Sequence, residues 1–113
     1  LPYSKETDKI FNKSIFNRMK DTAFFINVGR GKSVVESDLI EALSNSEIGG
    51  AGLDVFEKEP LSEDSKLWDL DNVIITPHIA GYSNEYWKNQ KKLFSENLNR
   101  YLNNNTMLNE IKI

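Results

Sequence analysis

The sequence predicts an α/β fold in which a parallel sheet of about three strands has flanking helices and is followed by a long C-terminal helix. Three short apolar segments alternate with stretches of helical spacing. These segments are apolar on both sides of the strand, as expected for a parallel sheet covered on both faces. At 113 residues the chain is long enough for one small domain, which we assign to residues 1–113.

The first half of the chain is predicted to hold a short helix, a strand and a second helix. The short helix is indicated by apolar residues at helical spacing: Ile15, Phe16 and Met19. Residues 23–28 form a nearly continuous apolar run that predicts the first strand, which ends at Gly29. Ser37 is expected to cap the second helix, with Asp38 favourably placed in the first turn and the helix ending near Asn45.

The second half is predicted to hold two strands and the long helix. Residues 50–55 predict the second strand, whose small side chains allow a helix to pack closely, and residues 72–76 predict the third. Residues 83–102 are predicted to be helical because their apolar side chains form one stripe: Trp87, Phe94, Leu98, Tyr101 and Leu102. The lysines of this helix fall on its other side, where a solvated face explains them.

Composition and charge exclude several function classes. Fourteen basic and 17 acidic residues give a net charge of -3, so neither nucleic acid nor an anionic membrane is an expected partner. Without cysteine the chain has no disulfide framework, no thiolate metal site and no cysteine nucleophile, and the cytoplasm is the expected compartment. The longest apolar runs are far too short to span a bilayer, and no metal site is expected.

Two glycine-containing segments look like phosphate-binding motifs but lack a required residue. Gly31-Lys32-Ser33 resembles the end of a P-loop, but Ile26 stands where that motif needs a glycine. The segments beginning at Gly29 and Gly50 each have a valine at the third glycine position of the dinucleotide fingerprint. The chain is therefore expected to have no pyrophosphate-binding site of its own.

Polar residues follow each predicted strand, at the edge where open parallel sheets bind ligands. Arg30 follows the first strand and His78 follows the third; Asp54 ends the second, with Glu59 just beyond it. A guanidinium, an imidazole and carboxylates suit proton transfer to the carbonyl of a substrate held by its own carboxylate. A position in a surface loop would also explain Arg30, His78 and Glu59. A hydrogen-bonding role would explain Asp54, the carboxylate that ends an apolar strand.

Three motifs occur in order along the chain, each with a charged residue in place. They are residues 25–31 (FINVGRG), 50–61 (GAGLDVFEKEPL) and 72–81 (NVIITPHIAG), preceded by Met19-Lys20. Together they closely resemble the NAD-binding domain of the D-isomer-specific 2-hydroxyacid dehydrogenases, and residues 1–7 resemble the family's segment just upstream. The resemblance covers nearly the whole chain and implies a Rossmann-like sheet.

The resemblance implies that Arg30, Glu59 and His78 form the catalytic set. Arg30 would bind the carboxylate and carbonyl of the substrate, and His78 would protonate the carbonyl oxygen as hydride arrives from the cofactor. Glu59 would pair with His78, stabilise its protonated ring and orient it. The cofactor, NAD or NADP, is expected to contact residues that match the family's nicotinamide and ribose surroundings: Pro2, Val28, Gly29, Arg30, Asp54, His78, Ala80 and Gly81.

The resemblance also implies the larger protein to which the chain belongs. The chain would be a fragment, the C-terminal portion of an NAD(P)-binding Rossmann domain, with the glycine-rich half and the substrate domain preceding Leu1. The isolated chain is therefore expected to be inactive and to expose apolar surface. The parent enzyme would be a homodimer acting on a small 2-oxo or 2-hydroxy acid. Two alternatives stay open: an NAD-sensing, corepressor-like binding protein of the same superfamily, and an inactive structural module.

Overall fold

Three parallel strands form the sheet in the computed structural model of this protein, which describes residues 2–111. The strands lie in the order β1-β2-β3, and each pairs in parallel with its neighbour. Their bounds are Phe24–Asn27 (β1), Gly50–Leu53 (β2) and Val73–Ile75 (β3). The helices are Lys13–Phe16 (α1), Glu36–Ser44 (α2) and Tyr86–Leu102 (α3), with 3₁₀ turns at Gly31–Ser33 and Lys66–Asp69. The α/β class and the three predicted strands are confirmed.

The start of α2 differs from the prediction. Ser37 does not cap this helix: Val35 occupies the cap position without a side-chain hydrogen bond, and Ser37 lies inside the helix. The cause is an extended pairing just before the helix, in which Val35 N–H donates to Phe11 O at 2.8 Å and starts the helix two residues earlier than a serine cap would. Two other details of α2 are as predicted: its first turn holds Asp38, and it ends before Asn45.

The core lies between one face of the sheet and the helices α1 and α2. Phe25 of β1 meets Phe16 of α1 edge to face, with ring centroids 5.4 Å apart, and Phe16 is fully buried. Leu39 and Leu43 of α2 are also inaccessible to solvent. The same cluster includes Val34, Ala42, Ile48, Ala51, Leu53, Phe56 and Leu67. This packing fixes the position of the three strands relative to α1 and α2, and therefore the positions of the loops that follow the strands.

The other face of the sheet is open to solvent. Phe24 and Ile26 of β1 are each 70% exposed, and Ile74 of β3 is 73% exposed. Within residues 2–111 the expectation that both faces are covered therefore holds for one face only. The exposed apolar surface agrees with the expectation stated for the isolated chain.

Within the described residues, 81–111 belong to a second compact unit, which contains α3. In this unit the side-chain amide of Asn97 makes two hydrogen bonds with the backbone of Leu108. Its Oδ1 accepts the Leu108 N–H at 2.7 Å, and its Nδ2 donates to the Leu108 carbonyl at 3.1 Å. No residue of α3 is buried, and the predicted apolar stripe is exposed, with Trp87 at 64% and Phe94 at 70%. None of the helices in residues 2–111 has both the length and the apolar character needed to cross a bilayer.

Candidate active site

The loops that leave the carboxyl ends of the three strands meet at one edge of the sheet, as parallel strands require. Arg30 follows β1, Glu59 follows β2 and His78 follows β3. All three line one recess with a volume of about 350 Å³. The recess thus presents a guanidinium, a carboxylate and an imidazole to one small ligand.

His78 and Glu59 form a hydrogen-bonded pair in this recess. The imidazole Nδ1 lies 2.8 Å from Glu59 Oε2. Because a carboxylate can only accept, Nδ1 carries the proton of this bond, which leaves Nε2 to exchange a proton with a ligand. The other carboxylate oxygen, Oε1, accepts the backbone N–H of Phe56 at 3.1 Å. Glu59 is therefore oriented by the chain segment that follows β2.

The pKa of Glu59 lies below its ordinary value. The hydrogen bond with His78 is the largest cause; burial acts in the opposite direction, and the Phe56 N–H and the positive charges of His78 and Arg30 lower the pKa further. Glu59 is consequently ionised near neutral pH and gives the Nδ1–H of His78 a negatively charged hydrogen-bond acceptor.

Two polar side chains fix the backbone of Arg30. Its carbonyl accepts Asn27 Nδ2 at 3.2 Å and the Ser33 hydroxyl at 2.6 Å. Asn27 is buried, and its Oδ1 accepts the Gly29 N–H at 3.1 Å, so one amide ties the loop at two points. The exposed guanidinium donates to Gly29 O at 2.7 Å and keeps other N–H groups for an anion. Neither Asn27 nor Ser33 is among the predicted site residues, although a polar side chain within an apolar strand was an available signal for Asn27.

Asp54, the residue that follows β2, is 2% exposed and accepts three hydrogen bonds. Its Oδ1 accepts the Thr76 hydroxyl at 2.5 Å and the Ile79 N–H at 2.8 Å, and its Oδ2 accepts the Ala80 N–H at 2.8 Å. Burial by itself raises the pKa of Asp54, but these three bonds, with the nearby charge of His78, outweigh it and the pKa is lowered. The structure gives this carboxylate the hydrogen-bonding role that its position at a strand end predicts, and it adds Thr76, which was not predicted.

The other residues expected to contact a cofactor differ in their surroundings. Val28, at the carboxyl end of β1, is 61% exposed and offers an apolar surface. Pro2 is exposed, and its carbonyl accepts the Thr7 hydroxyl at 2.9 Å. Gly81 begins the second unit, and apart from its two chain neighbours no described residue has an atom within 4 Å of where its Cβ would stand. The contact of these residues with a dinucleotide stays a prediction.

The chemistry of the side chains favours an organic acid as ligand. The guanidinium of Arg30 suits a carboxylate, and the His78 ring can exchange a proton with a neighbouring oxygen. A mainly apolar hollow of about 650 Å³, with Leu61 and Trp68 in its wall, also borders the His78–Glu59 pair and leaves room for an apolar part of a ligand. Among the described residues there is no group of three His, Asp or Glu side chains that could hold a metal ion.

Comparison with known proteins places most of the chain in the range of one family model. The family described as D-isomer specific 2-hydroxyacid dehydrogenase, NAD binding domain, matches residues 1–80. The match covers the first compact unit, which carries the three residues of the recess.

Two relatives show how far the similarity extends. The probable 2-ketogluconate reductase of Dictyostelium discoideum is 56% identical over 80 residues, which are 71% of this chain and 24% of the relative. Glyoxylate/hydroxypyruvate reductase B of Klebsiella pneumoniae is 48% identical over 109 residues, which are 96% of this chain and 34% of the relative. This chain therefore spans between 24% and 34% of the length of these relatives.

A solved structure shares the fold as well. The NADPH-dependent glyoxylate/hydroxypyruvate reductase of Sinorhizobium meliloti, in complex with NADP and sulfate, aligns with a TM-score of 0.88 at 35% identity. The alignment covers 99% of this chain and 36% of that one. The Rossmann-like architecture expected from the sequence is thereby confirmed.

Proposed function

We propose a function on the premise that this chain belongs to the D-isomer specific 2-hydroxyacid dehydrogenase family. The chain supplies the C-terminal portion of the NAD(P)-binding domain of a longer enzyme, which we call the full-length protein. The full-length protein interconverts a small 2-oxo acid and its 2-hydroxy acid. The observation that carries the proposal is the 2.8 Å approach of His78 Nδ1 to Glu59 Oε2, in the recess that Arg30 also lines.

Arg30 binds the substrate. Its guanidinium presents several N–H donors in one plane, which match the two oxygens of a carboxylate. The Asn27 and Ser33 contacts fix the backbone from which this side chain extends, so the carboxylate is bound at a defined distance from the imidazole. Correct placement of the substrate is itself a large part of the rate enhancement in such reactions.

His78 handles the proton. In the direction of reduction, the Nε2 proton passes to the carbonyl oxygen while the carbonyl carbon is reduced, and in the reverse direction Nε2 takes the proton from the hydroxyl group. Glu59 holds the ring through Nδ1 and so keeps Nε2 directed to the substrate. Glu59 is thus a partner of the acid rather than the acid itself.

The residues around the recess suit a nicotinamide cofactor. Val28 is exposed at the end of β1 and would lie against the nicotinamide ring, while Gly29 and Arg30 would approach the cofactor from the same loop. When bound, NADH or NADPH supplies the hydride for the carbonyl carbon. Relatives are named as reductases of glyoxylate, hydroxypyruvate and 2-ketogluconate, and we propose a substrate of this small 2-oxo acid type.

We also propose an assembly and a compartment. The full-length protein is a homodimer, as the family resemblance implies, and its partners are small acids rather than polyanions, given the net charge of -3. The cytoplasm is the proposed compartment, because a chain without cysteine has no disulfide that requires an oxidising one.

Steady-state kinetics of the full-length protein test the proposal. Oxidation of NADH or NADPH is followed with glyoxylate, hydroxypyruvate or pyruvate as substrate. Loss of the general acid in His78→Ala should lower kcat by about 10²–10⁴-fold. Lys20→Ala, at an exposed residue outside the recess, is the matched control and should keep the wild-type rate.

The outcome separates the enzyme from its alternatives. No turnover with any 2-oxo acid, together with tight binding of a partner protein, would favour a corepressor-like role. Equal rates for His78→Ala and Lys20→Ala would contradict the proposed role of the imidazole.

A further inference from the structure

The turn that carries His78 has a backbone conformation that needs support. His78 has a φ of 55°, in the left-handed region that residues with a Cβ rarely adopt. Its own N–H donates to Thr76 O at 3.1 Å, which closes only a three-residue turn. Because this backbone conformation is unfavourable in a short free peptide, other contacts must hold it in the folded protein.

Asp54 binds the turn on both sides of His78. One oxygen accepts the hydroxyl of Thr76, two residues before the histidine, and the N–H of Ile79, the residue after it. The other oxygen accepts the N–H of Ala80. Since Asp54 is almost completely buried, these charge-assisted bonds are not exchanged with water. A single buried anion therefore ties together three donors of one short segment.

The contact between the His78 and Glu59 side chains does little by itself to fix their geometry. The side chains of His78 and Glu59 are 50% and 37% exposed, and an ion pair at such exposure does little to hold two side chains in one geometry. The close approach of Nδ1 to Oε2 therefore depends on where the backbone places His78.

We propose that Asp54 and Thr76 are positioning residues, which hold the turn at His78 so that Nδ1 faces Glu59 and Nε2 is left for the substrate. The inference rests on the proposed function, because His78 is the proton donor only there. It gives Thr76 a role outside the expected catalytic set, and it gives Asp54 a role besides the expected cofactor contact.

The tautomer of the neutral His78 ring measures this positioning directly. His78 is the only histidine of the 113 residues, so the imidazole ¹⁵N spectrum of this chain contains one set of ring signals. The bond to Glu59 keeps the proton on Nδ1, so the wild type should show the Nδ1–H tautomer as its major form when the ring is neutral. Thr76→Val, which keeps the size but removes the hydroxyl, should move the proton to Nε2.

A second variant changes the acceptor, Asp54, instead of the Thr76 donor. Asp54→Asn places an amide N–H₂ against a backbone N–H, so it should also shift the tautomer towards Nε2–H and speed hydrogen exchange of the Ile79 and Ala80 amides. Thr76→Ser keeps the hydroxyl and should restore the wild-type tautomer. Thr22→Val makes the same substitution at an exposed threonine and should change nothing.

The proposal is overturned if folded Thr76→Val keeps the wild-type tautomer. A lower melting temperature with an unchanged tautomer has the same meaning, because a purely structural role alters stability alone. If Asp54→Asn does not fold, the comparison of Thr76→Val with Thr76→Ser decides. None of these measurements needs cofactor or turnover, so failure of the positioning role and failure of the proposed function are distinguishable.

Discussion

Gly31→Ala should force apart the two loops that carry Arg30 and Glu59. Gly31 is buried, and a Cβ at this position would lie 1.8 Å from the carbonyl oxygen of Phe56 and 1.9 Å from its carbonyl carbon. Both atoms belong to the backbone, so no side-chain rotation relieves the overlap. Because the Phe56 N–H orients Glu59, moving this segment also moves the partner of the imidazole.

The size of the effect follows from the distances. An ordinary contact begins near 3.4 Å, so the loops must separate by about 1.6 Å. Overpacking of a closely packed site costs about 1–3 kcal/mol, and a contact between two backbone segments should reach the upper end, about 3 kcal/mol. A displacement above 1 Å should lower kcat/KM of the full-length protein by roughly 100-fold or more.

Two assays check this prediction. Urea unfolding of the chain gives the change in the free energy of unfolding, and nicotinamide-linked kinetics of the full-length protein give kcat/KM. Gly52→Ala is the matched control, because the nearest atom to its Cβ would be Ile26 Cγ1 at 3.9 Å. It should leave kcat/KM unchanged and alter the unfolding free energy by no more than about 1 kcal/mol. Equal stability and activity of the two alanine variants would refute the steric argument.

Two further predictions concern the stability of the chain. Asp54 and Glu59 have lowered pKa values, so their contribution to stability is complete above an unfolded pKa of about 4 and is lost as the pH falls through the lower folded value. Urea unfolding across an acid series should show this loss, and Glu59→Gln should show a smaller one; identical pH profiles would contradict it. Phe16→Ala, at a fully buried ring, should cost about 3–5 kcal/mol in urea unfolding. Phe94→Ala, at a side chain that is 70% exposed, should cost less than about 1 kcal/mol, and equal losses would rule out the described core.

The meeting of three loops at one edge could be predicted from the sequence because parallel topology alone requires it. Once the three apolar segments are strands of one parallel sheet, the residues that follow each strand share an edge. The open face of the sheet could not be predicted in the same way. Phe24 and Ile26 show that β1 is apolar on both sides, but a strand's own residues do not specify which chain segment covers each side.

The start of α2 shows a second limit, since local preference gave way to a distant contact. Serine is a favoured cap, yet the helix begins before Ser37 because Val35 is already bonded to Phe11. The orientation of His78 has the same kind of origin. The donors that meet Asp54 lie 22 to 26 positions further along the chain, so these bonds exist only once the loops after β2 and β3 are side by side. The geometry of the imidazole is thus a property of the paired strands, and it is not contained in the motif that includes the histidine.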